Sequence, residues 1–104
     1  MTIGSFSNLR DADILNIIEF QASNLARWAA LVFFGKNPFL RTQPIDMAQS
    51  VGCNPGQVQN ELEALAQMGI LIARKNGLQM SYALAPEPAV RRAVIHFAER
   101  SLFD

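Results

Sequence analysis

The sequence predicts a mainly α-helical domain with one small β-hairpin, and three observations predict it. Residues 54–69, NPGQVQNELEALAQMG, read as one short helix with both ends marked. A second short helix lies just upstream, across a turn that contains Gly52. After Gly69 the hydrophobic period changes from helical to alternating, around the dipeptide Asn76-Gly77. That change of period, with a strong turn dipeptide at its centre, is the local signature of a hairpin.

Each element has its own signal. In residues 8–22, Ser7 or Asn8 can cap a helix, and Asp11 and Asp13 fall where the helix dipole favours carboxylates. Ile14, Ile17 and Ile18 continue along it. Ser23-Asn24 offers a new capping site for residues 25–34, LARWAALVFF, with Gly35, Asn37 and Pro38 expected to end that helix. It is apolar nearly all round, which predicts a central position and core roles for Trp28, Leu31 and Val32. Thr42 is the expected N-cap of the next helix, with Pro44 in its first turn and Gly52 closing it.

Asn54 then suits an N-cap, Pro55 the first helical position and Gly69 the left-handed residue at the end. Val58, Leu62 and Leu65 form the apolar stripe, and Gln57, Asn60, Glu61 and Gln67 the opposite side. Two short helices joined by a glycine-containing turn make a helix-turn-helix pattern over residues 43–69. A two-residue loop at Asn76-Gly77 pairs Ala73 with Met80, Leu71 with Tyr82 and Arg74 with Gln79 across residues 70–85. It puts Leu71, Ala73, Met80, Tyr82 and Leu84 on the inward face and Arg74 and Lys75 near the tip. Pro86-Glu87-Pro88 opens a last helix over residues 88–103, with Val90, Val94 and Phe97 on one face. Helices this apolar at both ends of a chain need cover, so 8–22 and 88–103 are expected to pair across a two-fold homodimer interface.

Composition narrows the function. The 104 residues fit one domain spanning 1–104, half of them hydrophobic and 17% charged. No apolar run approaches the roughly 20 residues that span a bilayer, and the N-terminus lacks the pattern of a signal peptide. One cysteine excludes an internal disulfide. A cytoplasmic protein without membrane partners is expected. One histidine and scattered carboxylates make no nucleophile–base pair, and no glycine-rich phosphate loop is present, so no enzyme is expected. The net charge is zero, but the charges are not evenly spread. Residues 44–69 hold Asp46, Glu61 and Glu63 and no lysine or arginine, whereas residues 70–85 hold Arg74 and Lys75 and no carboxylate.

The run IDMAQSVGCNPGQVQNELEALAQMGIL, with NLARWAALVFF before it and RKNGLQMSYAL after it, resembles the winged helix-turn-helix regulators of the ArsR-like branch, and less closely the MarR family. Ala48, Gly52, Val58, Leu62, Leu65 and Gly69 stand at the family's framework positions, Arg27 near its usual arginine and Tyr82 at the usual aromatic of the wing. The resemblance implies a dimeric transcriptional repressor that leaves double-stranded DNA when a metal or another signal binds. Gln59 and Glu61 stand where the family commonly has Ser and His, and its paired-cysteine metal site is missing. His96 and Glu99 resemble half of a second family metal site, but the other half would fall near Ala83 and Ala85. No metal site and no cofactor are therefore expected.

The expected DNA contacts follow from side-chain chemistry. Asn and Gln amides pair bidentately with adenine in the major groove, which marks Asn54, Gln57, Gln59 and Asn60 on helix 54–68. Arg74 and Lys75 at the wing, and Thr42 with Lys36 and Arg41 ahead of the unit, suit phosphate. The competing reading is a winged-helix protein–protein interaction module that does not bind DNA, which Glu61 and Glu63 favour because carboxylates repel phosphate. Cys53, in the turn, reads as a small turn residue before it reads as a redox switch.

Overall fold

The computed structural model describes residues 11–21 and 24–103. The chain runs α1 (Asp11–Gln21), α2 (Leu25–Lys36), β1 (Arg41–Thr42), α3 (Pro44–Val51), α4 (Pro55–Gln67), β2 (Leu71–Asn76), β3 (Gln79–Leu84) and α5 (Pro88–Phe103). The expected caps at Ser7 and Asn8 lie outside the described residues.

Capping fixes where the helices begin and end. Asn24 Oδ1 accepts from the Arg27 N–H at 2.8 Å, so α2 starts afresh after α1. Asn54 Oδ1 accepts from the N–H groups of Gly56 and Gln57, and Pro55 takes the first helical position of α4. Gly52, at φ 74°, closes α3 in the left-handed region, and its N–H donates to the Ala48 carbonyl. Gly69 is also left-handed, at φ 85°.

Two expectations about helix ends are corrected. Gly35 does not end α2 but lies inside it, buried, and a Cβ there would sit 2.6 Å from the Val94 carbonyl oxygen of α5. The helix ends at Asn37, whose N–H and side-chain amide both donate to the Phe33 carbonyl. Thr42 is not the N-cap of α3. Gln43 holds that place without a side-chain cap bond, because Thr42 is drawn into strand pairing with Tyr82.

That pairing makes a third strand. The sheet has the order β1-β3-β2, antiparallel throughout. The hairpin register also differs from the expected one: Asn76 pairs with Gln79, Arg74 with Ser81, Ala73 with Tyr82 and Leu71 with Leu84. The loop is Gly77-Leu78 rather than Asn76-Gly77. A loop centred on Asn76-Gly77 would need positive φ at both residues, and among the described residues only glycines have it. Gly77 at φ 66° followed by a residue of negative φ suits the type II′ hairpin turn. The shift is by two residues in the pairing, so each residue keeps its face: Leu71, Tyr82 and Leu84 are buried and Met80 half-buried, but Ala73, expected inward, is exposed.

The core joins Leu31 and Phe34 of α2, Met47 of α3, Val58, Leu62 and Leu65 of α4, Tyr82 and Leu84 of β3, and Val90 and Val94 of α5. The Phe33 and Phe34 rings meet edge to face at 5.5 Å. Trp28, expected in the core, is 39% exposed and borders an open recess with Val32, Phe33 and Val51. Ile14 and Ile18 of α1 are fully buried, and α1 packs on α5 within one chain, where Arg100 pairs with Glu19 at 2.6 Å. The terminal helices thus cover much of each other's apolar surface without a second copy. Among the described residues no helix is long and apolar enough to cross a membrane.

Candidate nucleic-acid interface

α3 and α4 pack on each other across the Gly52–Asn54 turn, and the wing formed by β2 and β3 lies alongside α4. The stripe Val58, Leu62 and Leu65 is wholly buried, which pins the inner side of α4. Asn54, Gln57, Gln59, Asn60, Glu63 and Gln67 are left exposed. At about 100° per residue, Asn60 and Gln67 stand opposite the stripe. Gln57 and Gln59 lie on opposite flanks, roughly 160° apart. All four candidate amides are exposed, but Asn54 Oδ1 is engaged in capping α4, and Gln57, Asn60 and Gln59 form an arc across the helix rather than one cluster.

Of the two carboxylates of α4, Glu61 leaves that arc and Glu63 stays within it. Glu61 is half-buried on the flank toward α2, where Oε1 accepts from Arg27 Nε at 2.6 Å and Oε2 from Asn24 Nδ2 at 3.2 Å. Glu63 is exposed, between Gln59 and Asn60 in rotation about the axis, and borders a shallow recess with Gln67, Ala73, Met80 and Tyr82. The expected repulsion of phosphate by Glu61 was thus inferred from its type, whereas its position gives it an internal partner. No local signal marks this pair, since its members are 34 residues apart.

The wing presents its charges differently from expectation. Arg74, opposite Ser81, shares the outer face of the sheet with Arg41, opposite Ala83. Arg41 donates to the Ser81 carbonyl at 3.3 Å and to Ser81 Oγ at 3.2 Å. Burial, and secondly the charge of Arg74, lower the pKa of Arg41. Lys75 stands opposite Met80 on the other face. Leu78, at the tip, is 99% exposed.

Between the wing tip and the starts of α3 and α4 runs a cleft of about 340 Å³, lined by Gln43, Ile45, Pro55, Gln59, Leu78 and Gln79 among others. Gln43 Nε2 donates to Gln79 Oε1 at 2.8 Å and ties the wing to the N-terminus of α3. No charged side chain lines this cleft. Thr42, half-buried in β1, directs its hydroxyl to the Gln43 carbonyl at 3.3 Å.

The remaining candidates stay apart. Cys53 is half-buried in the turn, with Sγ 3.9 Å from the Val51 carbonyl. His96 and Glu99 are exposed on α5, and among the described residues no three His, Cys, Asp or Glu side chains gather into a metal-holding group.

No family model matches the sequence, and no curated protein matches it. Solved structures do. The homodimeric winged helix-turn-helix DNA-binding domain of Mb0332 from Mycobacterium bovis, a possible ArsR-family transcriptional regulator, superposes with a TM-score of 0.59 at 22% identity. The match covers 88% of this chain and 79% of that one. The antimony-specific transcriptional repressor AntR gives 0.58 at 25% identity, over 89% of this chain and 84% of its own. The YusO protein of Bacillus subtilis gives 0.59 at 16% identity, over 88% and 67%. These likenesses extend over helices, turn and hairpin together, and the chain is a winged helix-turn-helix domain.

Proposed function

We propose that the chain is a DNA-binding transcriptional regulator, acting as a repressor and as a homodimer. α4 lies in the major groove, where Asn60, flanked by Gln57 and Gln59, reads base edges. Arg41 and Arg74 hold backbone phosphate beside it, and Leu78 leads the wing toward the neighbouring minor groove. The observation that carries this reading is the contrast between two adjacent surfaces. α4 turns an arc of amides outward, with Glu63 the exposed carboxylate within it, while Glu61 is taken up by Arg27. Arg74 of the wing and Arg41 of β1 share the outer face of the sheet. Such a pair suits a dianionic stretch of backbone. AntR is a repressor and the M. bovis domain is a homodimeric DNA-binding domain, which supports both finer parts of the proposal. In the dimer the two recognition helices face successive major grooves, about 34 Å apart.

Fluorescence anisotropy of labelled genomic fragments, titrated at rising salt, tests the reading. Binding that weakens with salt with a slope of a few phosphate contacts is expected. Binding that is absent even at low salt contradicts it. The competing interaction module is favoured by one observation: α3 and α4 carry no lysine or arginine, while Ile45 and Leu78 beside them are exposed. That reading gives no salt-dependent binding in the same titration.

A further inference from the structure

We infer that Asn24, Arg27 and Glu61 form a clamp that sets the rotation of the recognition helix about its own axis. Glu61 is thereby a positioning residue for base reading rather than an acidic obstacle to it. The inference rests on the DNA-binding reading above and assigns the one carboxylate of α4 that has an internal partner.

The geometry has three parts. Both Glu61 oxygens are engaged, one by Arg27 Nε at 2.6 Å and the other by Asn24 Nδ2 at 3.2 Å. A carboxylate held at both oxygens has a defined plane, whereas the apolar stripe of Val58, Leu62 and Leu65 supplies attraction without direction. Second, the pair is sheltered: the Arg27 and Glu61 side chains are 16% and 15% exposed, so salt screens them less than a surface pair. Third, the other end of the clamp is itself rigid. Asn24 uses Oδ1 to cap α2 and Nδ2 to hold Glu61, so one side chain both starts α2 and grips α4.

Glu61 sits one turn after Gln57 on the same flank of α4 and next to Asn60. A small roll of the helix about its axis would swing both amides away from the base edges. Amide-to-base bonds need good alignment, so the clamp acts on discrimination between sequences more than on attraction to DNA.

The test is a double-mutant cycle on the full chain with Arg27→Ala, Glu61→Ala and both together. Each protein is titrated against the genomic fragment that the wild type binds best and against a mixed-sequence duplex. Each single variant is expected to lower the preference for the best fragment about five- to tenfold, and the double variant no further than the worse single one. The salt slope on the mixed duplex should stay the same, since the wing arginines are untouched. Glu61→Gln, which keeps the shape and an acceptor for Asn24, should fall between, and it serves if Glu61→Ala does not fold. Three outcomes overturn the clamp. Tighter binding of both duplexes by the Glu61 variants would place its charge against phosphate. A salt slope reduced by about one in Arg27→Ala would make Arg27 a backbone contact. Additive losses would make the two residues independent. A wild-type chain that binds neither duplex at low salt removes the regulator reading and this use of the clamp together, and is recognised before any variant is made.

Discussion

Tyr82 shows how a single buried side chain can be both structural and measurable. It is fully buried, and among the described residues its hydroxyl has no hydrogen-bond partner. Such a group gives little stability, so Tyr82→Phe should leave the denaturation free energy within about 0.5 kcal/mol of wild type, or raise it. A loss above about 1.5 kcal/mol would mean that the hydroxyl is bonded. Burial, and after it the Glu63 carboxylate, raise the Tyr82 pKa above the usual value. The folded state then holds the phenol proton more tightly than the unfolded chain. That contribution is complete below about pH 10, the ordinary tyrosine value, and is lost as the pH rises through the raised one. Tyr82 is the single tyrosine, so ultraviolet absorbance follows its ionisation alone. The midpoint should lie above that of the unfolded chain, and an equal or lower midpoint contradicts the burial. Gly35 makes a second residue-scale test. Alanine there would meet the Ala98 methyl and the Val94 carbonyl of α5, and Gly35→Ala should cost about 2 kcal/mol in chemical denaturation despite alanine's better helix propensity.

At the scale of elements, what could be read from sequence was what neighbours in sequence decide. Asn54, Pro55, Gly52 and Gly69 act within one turn of themselves, and their roles in bounding α3 and α4 follow from the order of residues. The two-residue period and the inward face of the hairpin were likewise legible. The features missed are held by distant partners. Thr42 looks like a cap until Tyr82 claims it for a strand, and Gly35 looks like a helix end until α5 is laid against it. The hairpin loop was misplaced by one residue because Asn-Gly is such a strong turn dipeptide. Here Gly77 is the first central residue, which moves Arg74 opposite Ser81 and beside Arg41. The wing prediction changes accordingly. Arg74→Ala and Arg41→Ala should each reduce the salt slope of DNA binding by about one, and Lys75→Ala, on the other face, should reduce it less. An effect of Lys75 equal to that of Arg74 and Arg41 would contradict a phosphate contact made by the outer face alone.

At the scale of the whole molecule, the sequence argument for a dimer was that apolar terminal helices need cover. Much of that cover is internal, because α1 and α5 bury Ile14, Ile18, Val94 and Phe97 between themselves and α2. The dimer is therefore proposed from a narrower base: the half-buried Leu15 and Ile17 of α1 and the homodimeric M. bovis domain. Sedimentation at micromolar concentration should give twice the chain mass, and a monomer there would leave each reading head alone on DNA. The net charge of zero gives the molecule no general attraction to DNA, so affinity depends on where its few cations stand. The most direct measurement is an isotope-edited NMR titration of the chain with a duplex at low salt. The account predicts that the largest shifts fall on Gln57, Gln59, Asn60 and the Arg74–Leu78 end of the wing, with Glu61 little changed. Shifts confined to α1 and α5, or none at all, would contradict it.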